Sequence, residues 1–256
     1  MDVSEDESIS KPSDAVRYCA EDRKVSIESL RIPERLILTY QRATFDCAKE
    51  LIEGRCVDWL YGQSQPFCVG RINGLDVGVG RFWIGAPAAV ATLEEAIACG
   101  VKTIIEVGIS GGIQPNLQLG DVIVVTSAIR DEGTSHHYLP SHVPVESDVG
   151  LRNMMIERLE KEHIRYFVGS VWSTDAVYSE TWSKIQKFRK EGVLAVNMET
   201  SAVFAIARYR NVRAASVQVV SDVLSENGWH IAFKDKSVKD STRILLKIML
   251  ETISHE

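Results

Sequence analysis

Three carboxylates stand within or directly after apolar, strand-like stretches of the chain. Glu106 lies within TIIEVGISGG, Glu199 follows VLAVNM, and Asp222 follows AASVQVVS. Ligands of open α/β sheets bind beyond the carboxyl ends of the strands. If these strands are neighbours, we expect two or three carboxylates at strand ends, Glu199 and Asp222 with or without Asp175, to meet in one crevice. Other functional side chains at strand ends are expected to join them: Asn197, Met198, Ser221, and the run Ser173, Thr174 and Asp175.

Glu199 begins the predicted helix ETSAVFAIARYR, and the dipole of that helix favours an ionised carboxylate at this end. Its two oxygens are suited to accept hydrogen bonds from a vicinal diol such as that of ribose. A carboxylate that only caps the helix fits the same position, and spacing alone slightly favours that alternative.

Asp222 follows an apolar stretch that must be buried in a sheet. A carboxyl group at the mouth of such a strand is partly desolvated, so its pKa should rise. A raised pKa suits a general acid. An aspartate that caps the next turn explains the position equally well, and the residues alone do not choose between the two roles.

The glycines that follow Glu106 raise a question of charge. Gly108, Gly111 and Gly112 let the backbone turn and approach a ligand, and such loops often hold phosphate on backbone N–H groups. A carboxylate on the same strand opposes that role, because like charges ~4 Å apart repel by several kcal/mol. The spacing is not G-x-G-x-x-G, which argues against a dinucleotide site. We therefore assign Glu106, Gly108, Ile109 and Ser110 to a pocket for phosphate or water.

Other reactive residues give weaker signals. His136 and His137 are adjacent and lack a third ligand at metal spacing, so no metal site is expected. The five cysteines are odd in number and contain no C-x-x-C pair, which indicates reduced, cytoplasmic thiols. The tryptophans are expected in the core or at an interface rather than stacked on a base: Trp172, Trp182 and Trp229.

The bulk composition is that of one globular domain. The chain has 256 residues, of which 45% are hydrophobic and 25% are charged. A chain of this length buries a sizeable core, so its fold needs no disulfide or metal for stability. A net charge of −6 without basic runs argues against nucleic acid as a partner. No signal-like or bilayer-spanning apolar run is evident, which predicts a cytoplasmic protein without a membrane partner. Residues 1–30 begin with a polar, acidic stretch and are predicted to be a flexible extension of a domain at 31–256.

Strand-like and helix-like stretches alternate through that domain. The hairpin FCVGRINGLDVGVGRFWI turns at Asn73-Gly74, a strong hairpin signal, and adds an antiparallel element. Near-continuous apolar strands between helices indicate a sheet covered on both faces. The predicted fold is α/β: a single-domain, three-layer αβα arrangement with a central mixed, largely parallel twisted sheet.

Four stretches of the chain together form a specific pattern that covers about Gly74 to the C-terminus. They are EVGISGGIQPNLQLGDVIVV, STDAVYSET, VNMETSAVFAIA and VVSDVLSE. In sequence and in order they resemble motifs of the nucleoside phosphorylase superfamily, which contains purine nucleoside phosphorylases, uridine phosphorylases and nucleosidases.

The resemblance implies cleavage of a ribosyl N-glycosidic bond in a small-molecule nucleoside. Met198 would then pack on the sugar, Glu199 would bind its hydroxyls, and Asp222 would protonate a purine leaving group. Val177 would stand where the family often places an aromatic ring, with Asn197 and Ser221 also in the nucleoside site. Inorganic phosphate would be the co-substrate, no cofactor is implied, and a homo-oligomer, dimer or hexamer, is expected.

Departures from the family pattern concern the phosphate site. Phosphorylases of this family carry an arginine on the strand that here holds Glu106, and their Gly-Asp-Pro-x-Arg loop corresponds here to about YQRAT (40–44). A third arginine, donated by a neighbouring subunit in the family, would fall near Gln63. Substitutes for these arginines are to be sought among Arg42, Arg71 and Arg81.

These departures leave three hypotheses open. A phosphorylase with an altered phosphate site is favoured; a hydrolase with Glu106 as the base and a non-catalytic nucleoside-binding protein are the alternatives. The glutamine and arginine that read uracil in uridine phosphorylases would fall near Thr181 and Ser183, so a purine is favoured over uridine.

Overall fold

The computed structural model describes residues 8–60 and 64–255, and a single mixed sheet runs through them. The strands are β1 (Arg35–Thr39), β2 (Arg55–Val57), β3 (Phe67–Ile72), β4 (Leu75–Arg81), β5 (Thr103–Gly112), β6 (Val122–Asp131), β7 (Val145–Glu146), β8 (Tyr166–Thr174), β9 (Ala195–Asn197), β10 (Arg213–Ser225) and β11 (Gly228–Ile231). They follow the order β11-β10-β6-β8-β9-β5-β1-β4-β3-β2 in the sheet, with β7 on β6. β10 also pairs with β5, so β5, β10, β6, β8 and β9 close into a ring.

Helices cover both faces of this sheet because apolar side chains of its strands alternate between two cores. The helices are α1 (Pro12–Arg23), α2 (Arg42–Leu51), α3 (Ala86–Ala98), α4 (Val149–Lys161), α5 (Trp182–Lys190), α6 (Thr200–Tyr209) and α7 (Lys236–Ile253). Leu36 and Leu38 pack into one core with α1, α3 and α6, while Ile37 packs into the other with α2, α4 and α7. The three-layer arrangement and the mixed sheet predicted from the sequence are therefore confirmed.

The predicted hairpin is also confirmed. β3 and β4 pair antiparallel with Ile72 opposite Leu75, and both turn residues have positive φ, 52° at Asn73 and 81° at Gly74. Two left-handed residues in a two-residue loop match the twist of the flanking strands. The hairpin brings Phe67 and Phe82 into the core and leaves Trp83 half exposed.

The prediction of a flexible extension over residues 1–30 is wrong for much of its length. Residues 12–23 form α1, which begins at Pro12 and buries Val16 and Ala20 against the core. The Asp14 side chain accepts a hydrogen bond from the Lys11 backbone N–H at this helix start. Residues 1–7 lie outside the described part of the chain.

The expectation that every cysteine is reduced is wrong for two of them. Cys56 on β2 and Cys68 on β3 lie directly opposite each other and form a disulfide. Their pairing depends on strand register, which the linear spacing of cysteines does not reveal. Cys19, Cys47 and Cys99 are free thiols. Within residues 8–60 and 64–255, no helix has the length and apolarity needed to cross a membrane.

Candidate active site

A cavity of about 180 Å³ opens where β5, β9 and β10 come together. It contains eight of the ten residues assigned to the site from the sequence: Ile109, Ser110, Val177, Asn197, Met198, Glu199, Ser221 and Asp222. The other two, Glu106 and Gly108, do not line it. The two acids that the strand-end rule placed together, Glu199 and Asp222, do share one cavity.

Glu199 is the N-cap residue of α6, and its side chain is almost fully buried. One carboxylate oxygen accepts from the Gly85 N–H at 2.8 Å, and the other accepts from the Met198 N–H at 3.2 Å. Burial is the main cause that raises the pKa of Glu199 to about 7. The nearby Glu106 contributes to this rise, and the hydrogen bonds from the Gly85 and Met198 N–H groups oppose it. The dipole of α6 favours the ionised form at this position, and the desolvation of the buried carboxyl group opposes it.

The turn that carries Met198 and Glu199 is fixed by the Asn197 side chain at the end of β9. Its Oδ1 accepts from the Ser173 hydroxyl at 2.7 Å, and its Nδ2 donates to Thr200 Oγ1 at 2.7 Å. Ser173 sits near the end of the neighbouring strand β8. These bonds hold the turn in place from β8 on one side and from α6 on the other.

Asp222 lies at a bulge in β10 rather than at the end of that strand, which continues to Ser225. The register against β5 shifts between Val220 and Asp222, so Ser221 has no partner residue there. Asp222 accepts from the Ser221 hydroxyl and from the Trp229 indole N–H, both at 2.6 Å. Burial raises the pKa of Asp222, as the sequence predicted, although both donors lower it.

The glycines after Glu106 form strand, not the turn that we expected. All of β5 through Gly112 pairs with β10, and Gly108 and Gly111 do not have positive φ. Their role is to make room for side chains of β10. A Cβ on Gly108 would lie 2.5 Å from Gln218 Oε1, and one on Gly111 would lie 2.9 Å from Asp222 Oδ2.

Glu106 is buried behind the cavity, so its assignment to a phosphate or water pocket is wrong. Its oxygens accept from the Tyr40 hydroxyl at 2.5 Å, the Thr200 hydroxyl at 2.7 Å and Gln218 Nε2 at 3.4 Å. Burial raises the pKa of this carboxyl group. Tyr40 directly follows β1, Thr200 begins α6 and Gln218 lies in β10, so Glu106 connects three neighbouring segments behind the cavity.

The arginines considered as substitutes for a phosphate site do not reach the cavity. Arg42 pairs with Asp46, Arg71 pairs with Asp76, and Arg81 donates to the Ser64 carbonyl. None of the described lining residues is a lysine, arginine or histidine. Gln63, the position of the partner-donated arginine, lies outside the described residues.

Positive charge occurs instead in an adjoining cavity of about 340 Å³. The two cavities share Gln41, Ile109 and Phe233. The adjoining one is further lined by three cationic side chains and one acid: Lys234, Lys239, Arg243 and Asp240. In the wall of the first cavity, the buried Ser110 hydroxyl has no hydrogen-bond partner within the described residues.

Seven lining residues were not assigned to the site from the sequence, and three of them add an acid or an aromatic ring. The seven are Gln41, Ile84, Gly111, Glu180, Val196, Trp229 and Phe233. Glu180 follows Val177 within STDAVYSET, and burial and the nearby Asp222 raise its pKa to about 7 although Lys184 opposes the shift. Trp229 and Phe233 arrive on β11 and the segment after it, with their rings 6.1 Å apart. Trp172 is fully buried as expected, but Trp229 lines the cavity instead of the core. The described residues contain no group of three potential metal ligands.

Comparison with known proteins identifies relatives of this chain. A family model described as "Phosphorylase superfamily" matches residues 43–254. Guanosine phosphorylase of Halorubrum lacusprofundi is 28% identical over 186 residues, which cover 71% of this chain and 77% of the relative. Uridine phosphorylase of Thermococcus kodakarensis is 30% identical over 164 residues, 59% of each chain. The crystal structure of uridine phosphorylase from Vibrio fischeri ES114 superposes with a TM-score of 0.79 at 25% identity, covering 89% of this chain and 94% of the other.

Proposed function

Because this chain belongs to the phosphorylase superfamily, we propose that it cleaves the ribosyl N-glycosidic bond of a nucleoside with phosphate as the acceptor. The observation that carries the proposal is the presence of Glu199 and Asp222 in one cavity. One acid is suited to the sugar and the other to the leaving base. A fold alone would not support this activity, since one fold serves many chemistries.

The sugar end of the site is assigned to Met198 and Glu199. The Glu199 oxygens already accept two backbone hydrogen bonds, and each oxygen retains a second lone pair for a ribose hydroxyl. Met198 lies on the same fixed turn and offers an apolar thioether surface to the sugar ring. The hydrogen bonds of Asn197 hold the turn, so Met198 and Glu199 keep fixed positions relative to each other.

The leaving base is assigned to Asp222. In the reaction the C1′–N bond breaks, its electron pair goes to the base, and a phosphate oxygen forms the new bond to C1′. A purine accepts a proton as it leaves, and a carboxyl group of raised pKa is suited to supply it. The same group stabilises a base that becomes negative in the transition state. Val177, Trp229 and Phe233 supply the apolar wall for the ring.

Phosphate is assigned to the junction of the two cavities, at Gln41 and Ile109. Ser110 follows Ile109 and lines the first cavity, and its buried hydroxyl lacks a partner within the described residues, so it can donate to an anion. Lys234, Lys239 and Arg243 provide positive charge from the adjoining cavity. This arrangement would replace the arginines that are missing from the family pattern.

A purine nucleoside is the favoured substrate, because a proton donor at the base end matters most for a purine. The test is release of free base from inosine, guanosine, adenosine and uridine, with and without phosphate. Phosphorolysis predicts phosphate-dependent release and formation of ribose 1-phosphate. Phosphate-independent release of free ribose would identify a hydrolase, and binding without release would identify a non-catalytic nucleoside-binding protein.

A homo-oligomer is proposed as well. Ile84 and Tyr178 expose large apolar side chains, and Ile84 lines the cavity itself. Apolar surface at the mouth of a site is typical of an interface with another chain. Light scattering of the purified protein would identify a dimer or hexamer by mass, and a monomer at all concentrations would refute the proposal.

A further inference from the structure

Glu199 is the N-cap residue of α6, yet its side chain does not cap that helix. Other side chains accept from the N–H groups at the start of α6, which have no partner within the helix. Asn197 Oδ1 accepts from the Glu199 and Thr200 N–H groups, at 3.4 Å each. The Ser173 hydroxyl accepts from the Ser201 N–H at 3.0 Å. The Glu199 carboxyl group is therefore not needed at the helix end, and it lines the cavity.

This role of Asn197 requires its side-chain amide to point one way. Oδ1 faces the start of α6, and Nδ2 donates to Thr200 Oγ1 at 2.7 Å. A second donor, Gln218 Nε2, lies 3.3 Å from the same hydroxyl oxygen. Because two N–H groups already occupy the lone pairs of that oxygen, the Thr200 hydroxyl must direct its own hydrogen to a different acceptor.

Glu106 is that acceptor. Its Oε2 lies 2.7 Å from Thr200 Oγ1, and both side chains are fully buried. Oε2 accepts in an ionised carboxylate, and equally in a neutral acid whose proton lies on Oε1, 2.5 Å from the Tyr40 hydroxyl. Without this acceptor, the Thr200 hydroxyl would turn toward Asn197 and favour the reversed amide, which presents N–H groups to the start of α6.

We propose that Glu106 is a positioning residue for the sugar end of the site, because through Thr200 it fixes the orientation of the Asn197 amide. That amide holds the turn that carries Glu199. The inference rests on the proposed function, which assigns Glu199 to the ribose hydroxyls. The carboxyl group of β5 thus acts on the sugar site from behind the cavity, without contact with phosphate or substrate.

Substitutions at two points of this chain of hydrogen bonds interrupt it without changing a residue that lines the cavity. Glu106→Leu removes the acceptor, and Thr200→Val removes the hydroxyl while it keeps the shape of the side chain. Glu106→Gln should restore function, because its amide oxygen can accept from Thr200. Ser201→Ala is the matched control, since it deletes the neighbouring buried hydroxyl of α6, which donates to Glu132 at 2.9 Å instead.

The first measurement is calorimetric binding of inosine and of its free base, hypoxanthine, in phosphate-free buffer. We expect Glu106→Leu and Thr200→Val to weaken the binding of inosine by about tenfold or more, because a charged hydrogen bond to the ribose is misplaced. The binding of hypoxanthine, which lacks the sugar, should change by less than about twofold. Glu106→Gln and Ser201→Ala should leave both affinities within about twofold of the unmodified protein.

The second measurement, amide hydrogen exchange, needs no ligand. Loss of the Asn197 acceptor should speed exchange of the Glu199 N–H by about tenfold or more in Thr200→Val, whereas Ser201→Ala should leave it unchanged. This comparison decides the inference if Glu106→Leu does not fold or if no nucleoside binds.

Three results would overturn the inference: equal losses of inosine and hypoxanthine affinity, an unchanged inosine affinity in Thr200→Val, or unchanged exchange of the Glu199 N–H in that variant. These results do not depend on turnover. Inosine that binds in the expected pattern but is not cleaved after phosphate is added would refute the proposed function and leave the positioning role of Glu106 intact. Inosine that is cleaved and bound equally well by Thr200→Val would refute the positioning role alone.

Discussion

The Trp229 indole N–H donates a 2.6 Å hydrogen bond to Asp222 Oδ2 in the wall of the cavity. The bond joins an aromatic surface to the acid assigned to the leaving base. β10 and β11 pair antiparallel with Asp222 opposite Ile231, so this hairpin positions both groups. The β10–β11 hairpin therefore places both the acid that we propose acts on the leaving base and the ring that we propose contacts it.

Replacement of Asp222 by asparagine removes the proton donor but keeps the shape of the side chain. We expect kcat on a purine nucleoside to fall by ~10²-fold or more, the usual contribution of general acid catalysis, with little change in affinity. Steady-state kinetics and a separate binding titration measure the two effects. An unchanged kcat would remove Asp222 from the acid role.

Trp229→Phe keeps an aromatic ring and deletes the N–H donor to Asp222. That hydrogen bond lowers the pKa of Asp222, so its loss should raise the pKa further. The acid would then stay protonated to higher pH, and the basic limb of the kcat/KM profile should move upward. Phe233→Leu serves as the control, because it alters the same wall without touching this bond. A basic limb that stays in place, or moves downward, contradicts the assignment.

Glu199 should make stability depend on pH, because its pKa is about 7 in the folded protein against an ordinary value of 4.5. Between these values the folded state binds more protons than the unfolded state, so the contribution is fully present below about 4.5 and is lost as pH rises through about 7. We expect Tm to fall over this range and Glu199→Gln to flatten the dependence. Thermal melts from pH 5 to 8 measure it, and identical slopes for both proteins would argue against the shifted pKa.

Glu199→Gln should also weaken ribose binding. An amide presents one acceptor oxygen where the carboxylate presents two, so a backbone N–H of Gly85 or Met198 would face a donor. Loss of a charged hydrogen bond costs roughly 1.5–3 kcal/mol, which corresponds to about a tenfold or greater rise in KM. Equal affinity for the nucleoside would exclude Glu199 from the sugar site.

Two substitutions of adjacent residues, Thr39 at the end of β1 and Tyr40 directly after it, test whether the buried network around Glu106 stabilises the fold. Tyr40→Phe deletes a donor to Glu106 and should lower the free energy of unfolding by ~1–3 kcal/mol, because a buried acceptor loses its partner. Thr39→Val removes a buried hydroxyl that has no partner within the described residues, so stability should be unchanged or higher. Urea denaturation compares the two, and an equal loss in both variants would show that this network does not stabilise the fold.

The sequence predicted most of the sheet and the two main acids for a physical reason. Apolar runs of the correct length identify buried strands, and the ends of those strands define where a ligand binds. Glu199 and Asp222 could be located in this way. The local pattern of Asn73-Gly74 was equally informative, since a tight turn depends on few residues.

The remaining features depend on contacts that linear spacing does not encode. Cys56 meets Cys68 through strand register, and Trp229 reaches Asp222 through the β10–β11 pairing. The glycines of β5 resemble a loop in sequence, yet they serve close packing against β10. α1 buries only two residues, so its periodicity was too weak to be recognised.

The most direct test of the central claim is base release from a purine nucleoside in phosphate-free buffer and again after phosphate is added, with the sugar product identified. The account predicts release only when phosphate is present, ribose 1-phosphate as the product, and strong loss of release in the Asp222→Asn variant. Release of free ribose at the same rate without phosphate would contradict phosphorolysis. No release in either buffer would contradict the assignment of Glu199 and Asp222 to N-glycosidic cleavage.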